Sequence, residues 1–132
     1  MKDKLGYLAF ISIFTLIAMD ILTRVFGIYK NYPIMADIPL HLFGGMVAAI
    51  FFLWLYDGKE TKIIIPSIVL AIAWEIIEAI NDYYVPQPDY ALDFFFWDGI
   101  LDIIFHIVGT IIIVYVWKNF PKIKNYLLRT EG

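Results

Sequence analysis

The sequence predicts an all-α, polytopic integral membrane protein, a bundle of four transmembrane helices. Three observations predict it. The 132 residues are 61% hydrophobic and 18% aromatic, with a mean hydropathy of +0.75. Only 17% are charged, against about 25% in a typical soluble domain. The apolar residues also gather into four runs, each close to the ~20 residues a helix needs to cross a bilayer. A soluble domain of this size could not bury so much apolar surface, which excludes an ordinary soluble enzyme and a disordered chain. The formal net charge of −3 provides no basic footprint, so nucleic acid is excluded as a partner. Cysteine is absent, which removes disulfide frameworks and thiolate metal sites.

The spans follow in order, at about 5–23, 38–56, 63–84 and 97–117, in a single domain covering 1–132. The first is too long for a cleaved leader, and no small-x-small site follows it. Pro39 is expected at the start of the second span and Pro66 in the first turn of the third, where a missing N–H costs little. Asp57 to Thr61 form a tight turn between spans two and three. The longer connections carry Tyr29, Tyr32 and Pro33, then Pro86 and Pro88. The run Phe94-Phe95-Phe96-Trp97 suits an aromatic belt, and Trp54, Tyr56 and Trp117 suit anchors at the other surface. The basic tail from Lys118 to Arg129 reads as a topology signal touching anionic lipid.

Charge orients the bundle. Lys2, Lys4, Lys59, Lys62, Lys118, Lys122, Lys124 and Arg129, eight of the ten basic residues, fall on one side of a four-span arrangement, and only Arg24 and Lys30 on the other. Both termini are therefore expected in the cytoplasm of a multi-pass protein of the cell (plasma or inner) membrane.

Nine ionisable residues lie within or at the edges of the spans: Asp20, Asp37, His41, Glu75, Glu78, Asp82, Asp98, Asp102 and His106. A charge at the bilayer centre costs at least about 2.5–3.5 kcal/mol, so such residues face the bundle interior. Their spacing agrees. Asp37 and His41 are i, i+4; Glu75, Glu78 and Asp82 are i, i+3, i+7; Asp98, Asp102 and His106 are i, i+4, i+8. Each set is one stripe of one helix, extended by small residues at Gly44, Gly45, Ala48, Ala71 and Gly109 that allow close approach. In the oriented bundle all nine fall in the outer half, which points to a recess open to the outside or to the outer leaflet.

The segments Asp37-x-x-x-His41-Leu42-x-Gly44, Trp74-Glu75-x-x-Glu78 and Trp97-Asp98-x-x-x-Asp102, with Gly109 downstream, resemble the VanZ-like superfamily, its YjdF-type inner-membrane group most of all. The resemblance covers residues 37–110. It implies a small multi-span membrane protein and brings with it an association with glycopeptide resistance rather than a settled activity. His106 departs from the family pattern, which has Asn there, and Glu78 adds a second carboxylate.

Two imidazoles and several carboxylates converging in a bundle are a ligand set for zinc, manganese or iron. His41, Glu75, Glu78, Asp102 and His106 are the candidate ligands of such a divalent cofactor. Asp98 and Asp37 are candidates for the catalytic base or for holding a ligand. Asp82, Arg24 and Asp20 would contact substrate. The reading is a metal-dependent hydrolase or transferase acting on lipid-linked or envelope substrates. Three alternatives stand beside it: non-catalytic binding of lipid, glycopeptide or cation; a small transporter subunit; and interhelical hydrogen bonding with no ligand at all. Membrane lipid is the expected partner, together with a second copy of the chain.

Overall fold

Leu, Ile, Phe and Val dominate each long helix, and polar residues fall at one stripe or at the ends. The computed structural model describes residues 3–28, 33–84 and 92–128, except for the side chains at 3, 33–36, 81–83 and 92–96. Helix α1 is Asp3–Val25, α2 is Pro33–Leu55, α3 is Ile64–Tyr84 and α4 is Leu92–Asn119; a short α5, Pro121–Leu128, follows. No strand occurs among the described residues. Among the described residues, four helices are long and apolar enough to cross a membrane. Of the two longer connections expected at 24–37 and 85–96, residues 29–32 and 85–91, with Tyr29, Lys30, Tyr32, Pro86 and Pro88, lie outside the described residues, as do Lys2, Arg129 and the side chains of Asp82 and Phe94 to Phe96.

Two boundaries differ from expectation. Helices α2 and α4 each begin about five residues earlier than the apolar runs, so Pro39 sits inside α2 rather than in its first turn. It removes one backbone hydrogen bond on an exposed face, which a helix can tolerate near its end. Pro66 keeps its expected place, at the third residue of α3.

Helix α2 ends in a compact reversal. Asp57 and Gly58 have φ of 54° and 74°, and the Gly58 N–H donates to the Leu53 carbonyl at 2.7 Å, closing the helix with a left-handed cap. A 3-10 turn at Glu60–Lys62 leads into α3.

Helices α2 and α4 form the central pair. At Gly45 an added Cβ would fall onto the His106 carbonyl, and at Gly109 onto the Leu42 carbonyl, so the two backbones touch directly. Helix α3 packs mainly on α4 and less on α2. Helix α1 packs along α2, and its start meets α5.

The apolar core occupies one end of the bundle: Leu5, Ala49, Leu53, Ile63 and Trp117, with Leu127 and Leu128 of α5 packed against it. Trp117 is 4% exposed and donates from Nε1 to the Gly58 carbonyl at 3.0 Å. It is a core residue rather than a surface anchor, because the α2–α3 turn supplies an acceptor for its indole. Trp54 packs edge-on against Phe10, with ring centroids 5.9 Å apart. The basic tail is folded back, with Lys4 over the Tyr126 ring and Lys124 both near Glu60 at 3.7 Å and over the Trp117 ring. Around the outside, large apolar side chains such as Phe14, Ile65, Ile77 and Ile111 are exposed.

Candidate metal centre

At the end of the bundle away from that core, three helices converge on one imidazole. His41 projects from α2, one helical turn after Asp37. Its Nε2 is 3.4 Å from Asp37 Oδ1 and 3.6 Å from Asp102 Oδ2 of α4. Its Nδ1 is 3.7 Å from Glu75 Oε1 of α3. Asp37 and Asp102 are buried, while His41, Glu75 and Glu78 are half-buried.

The i, i+4 spacing of Asp37 and His41 puts both side chains on one face of α2, and the Gly45–Gly109 contact brings that face against Asp102. Glu75 reaches α4 where Gly99 leaves room. A Cβ there would lie 2.9 Å from Glu75 Oε2.

The candidate ligand atoms fall into two groups that share His41. Those of Asp37, His41 and Asp102 lie within 4.8 Å of one another, and so do those of His41, Glu75 and Glu78. Two ligand atoms about 2.1 Å from one tetrahedral ion stand about 3.4 Å apart, so the spacing about Nε2 suits a metal. The first group is the better buried. With Nε2 facing the metal position, an Nδ1–H would be aimed at Glu75, the arrangement that holds metal-bound histidines in register.

The other expected site residues lie around this pair of groups. Asp98 is half-buried on α4, one turn before Asp102, and belongs to neither group. Asp20 and Arg24 pair with each other on α1, Nε to Oδ1 at 2.9 Å, and both line a cavity beside the cluster. His106 is buried and stands outside both groups. Its Nε2 meets Ser67 Oγ at 3.2 Å, and Ser67 in turn meets Thr110 Oγ1 at 2.6 Å. Ser67 and Thr110 are the polar residues that sequence reasoning passed over. The spacing could have found them, since Ser67 extends the Ala71–Glu75 face of α3 by one turn and Thr110 extends the Asp98–Asp102–His106 stripe of α4 by one.

The cavity has a volume of about 430 Å³. It lies between α1 and α3 with α2 as its floor. Asp20, Arg24, Asp37, His41 and Glu78 form its polar end, and Ile13, Leu16, Val47, Phe51 and Leu70 its apolar length. Asp37 and Phe51 are fourteen residues apart, which is about 20 Å along a helix. Trp74 also lines this cavity and is 55% exposed.

Fold and site define a small helical protein with four apolar helices of membrane-spanning length and an acid–imidazole cluster at the polar end of an apolar cavity. Comparison with known proteins narrows this no further: no family model matches the chain, and no similar curated protein or solved structure is found.

Proposed function

We propose that this chain is a VanZ-like, multi-pass cell-membrane protein that binds one divalent metal through Asp37, His41 and Asp102 and uses it as a hydrolase or transferase on lipid-linked or envelope substrates. The observation that carries the reading is that Asp37 and His41 of the Asp37–His41–Asp102 group line the polar end of the apolar cavity. Such a cavity suits an amphiphile, its tail along Leu16, Val47 and Phe51 and its polar group beside the metal position. The exposed apolar girdle and the lopsided basic residues support insertion with both termini cytoplasmic and the cluster beneath the outer face.

A divalent ion offsets the mutual repulsion of five carboxylates placed around one imidazole. When bound it would polarise a phosphoryl or acyl oxygen and activate water. Glu75, 3.7 Å from Nδ1, would hold His41, and the nearby carboxylates Asp98 and Glu78 are the candidates to accept a proton from such a water. In such a hydrolysis the water oxygen would bond to phosphorus or carbonyl carbon as the ester or amide bond breaks, and the proton taken by the carboxylate would pass to the leaving group.

The test is metal analysis of the full chain in lipid nanodiscs. About one zinc, manganese or iron per chain is expected, lost in His41→Ala and Asp102→Asn and kept in Asp98→Asn. Chelator-sensitive cleavage of a labelled lipid phosphate or lipid-linked amide is expected alongside it. A metal-free wild-type protein overturns the proposal. The mostly apolar lining of the cavity favours, as the second reading, binding of lipid without chemistry, and co-purified lipid in a metal-free protein would select it.

A further inference from the structure

The buried network below the cluster has a definite proton order. Thr110 Oγ1 lies 3.2 Å from the Gly45 carbonyl and 3.1 Å from the His106 carbonyl, and both of these only accept. Its one proton therefore points at them, since a lone pair there would face two other oxygens. Thr110 Oγ1 must then accept from Ser67, 2.6 Å away. With its proton so used, Ser67 Oγ accepts from His106, which places the imidazole proton on Nε2. Nδ1 is left with a bare lone pair.

That nitrogen stands beside Gly44, on a residue that borders the cavity. His106 lines the cavity between α1 and α3, seen past the small residues Gly44 and Ala71. A Cβ built on Gly44 would stand 3.8 Å from His106 Nδ1, an ordinary contact distance, so a methyl group fits there and would cover the nitrogen. The position is three residues below His41 on α2, about 4.5 Å deeper along the helix axis. Farther down, the lining is apolar at Val47, Phe51 and Leu70.

We propose that His106 Nδ1, held as a proton acceptor by the Ser67–Thr110 chain and uncovered by Gly44, is a recognition site for a hydroxyl or amide N–H carried by an amphiphile in the cavity. The inference rests on the reading of the cavity as the ligand's space and is independent of the metal. A hydrocarbon lacking a donor leaves Nδ1 desolvated and unpaired, so the site discriminates against it.

Nitrogen-15 NMR of the full chain in nanodiscs, labelled at histidine and treated with chelator, tests it with two probes of matched length, 1-octanol and heptyl methyl ether. Wild-type protein is expected to show His106 with a protonated Nε2 and an unprotonated Nδ1. Octanol shifts the Nδ1 resonance, and the ether, which cannot donate, does so about three- to tenfold more weakly by concentration. Gly44→Ala keeps the tautomer and loses the octanol response. Ser67→Ala removes the hydroxyl that meets Nε2 and is expected to weaken the preference for the Nε2–H tautomer. A proton on Nδ1 in the wild type, equal responses to alcohol and ether, or an undiminished response in Gly44→Ala each overturns the proposal. Because chelator is present throughout, none of these outcomes depends on whether the metal reading holds.

Discussion

Gly45 and Gly109 set how closely α2 and α4 approach, and they do so by lacking a single carbon. A methyl group on Gly45 meets backbone, which cannot swing aside as a side chain can. Gly45→Ala and Gly109→Ala are each expected to destabilise the chain by about 3 kcal/mol, the upper part of the overpacking range, despite alanine's better helix propensity. Gly44→Ala meets only side chains at ordinary contact distances, His106 Nδ1 at 3.8 Å and Leu16 Cδ2 at 4.0 Å, and is expected to be nearly neutral. Reversible unfolding in mixed micelles separates the three, and similar losses for all would contradict the close backbone approach. Gly58 is a different case. Its φ of 74° is left-handed and its position is already crowded by Trp117, so Gly58→Ala carries both strain and a clash. Asp57 shares the left-handed region, which Asp tolerates better than most residues.

At the scale of elements, the bond between α3 and α4 is unusual because much of it is polar. Ser67 and Thr110 are both almost fully buried and meet across the interface. Ser67→Ala and Thr110→Val are expected to cost about 1–2 kcal/mol each, and less in combination than the sum, since Thr110→Val strands the Ser67 hydroxyl proton and the double variant does not. A double-mutant cycle measures the coupling, and strict additivity would remove Ser67 from the network. The short α5 contributes by a different route. Its Leu128 and Lys124 cover Gly58 and Trp117, whereas its ion pair to Glu60 is long, open to solvent on one side and worth under about 1 kcal/mol. Truncation after residue 120 is therefore expected to lower stability through the uncovered indole, with Lys124→Ala alone changing little, as unfolding of the two variants would show. Here the sequence was legible in its periodicity and not in its partners. The polar stripes of α2, α3 and α4 were visible as i, i+4 spacings. Nothing in those spacings distinguishes His41, which meets three carboxylates from three helices, from His106, which turns to Ser67. Spacing fixes the face of one helix and says nothing of the rotation of its neighbour.

For the whole molecule, both ends of the bundle carry charge, but of different character. The end with Lys59, Lys62, Lys118, Lys122 and Lys124 is basic, and the end with Asp37, Glu75, Glu78 and Asp98 is acidic. The absence of cysteine makes the orientation directly measurable. Single cysteines at Lys59 and Lys122 are expected to resist an impermeant maleimide in intact cells, while those at Val25 and Tyr84, exposed near the opposite end, are expected to react. Labelling of Lys59→Cys from outside would invert the bundle and move the cluster to the cytoplasmic face.

Composition and periodicity alone determined the helical class, the four long apolar elements, the faces that carry acids and imidazoles, and the small residues that let α2 and α4 touch. These follow from local rules, because a span needs length and apolarity and a stripe needs only a period. The tertiary structure decided which imidazole lies among the carboxylates, that Trp117 is core, and that a cavity runs beside α2 where α1 and α3 do not close together. Those outcomes depend on the relative rotation and depth of four packed cylinders, set at contacts between residues far apart in the chain, which no window of the sequence contains.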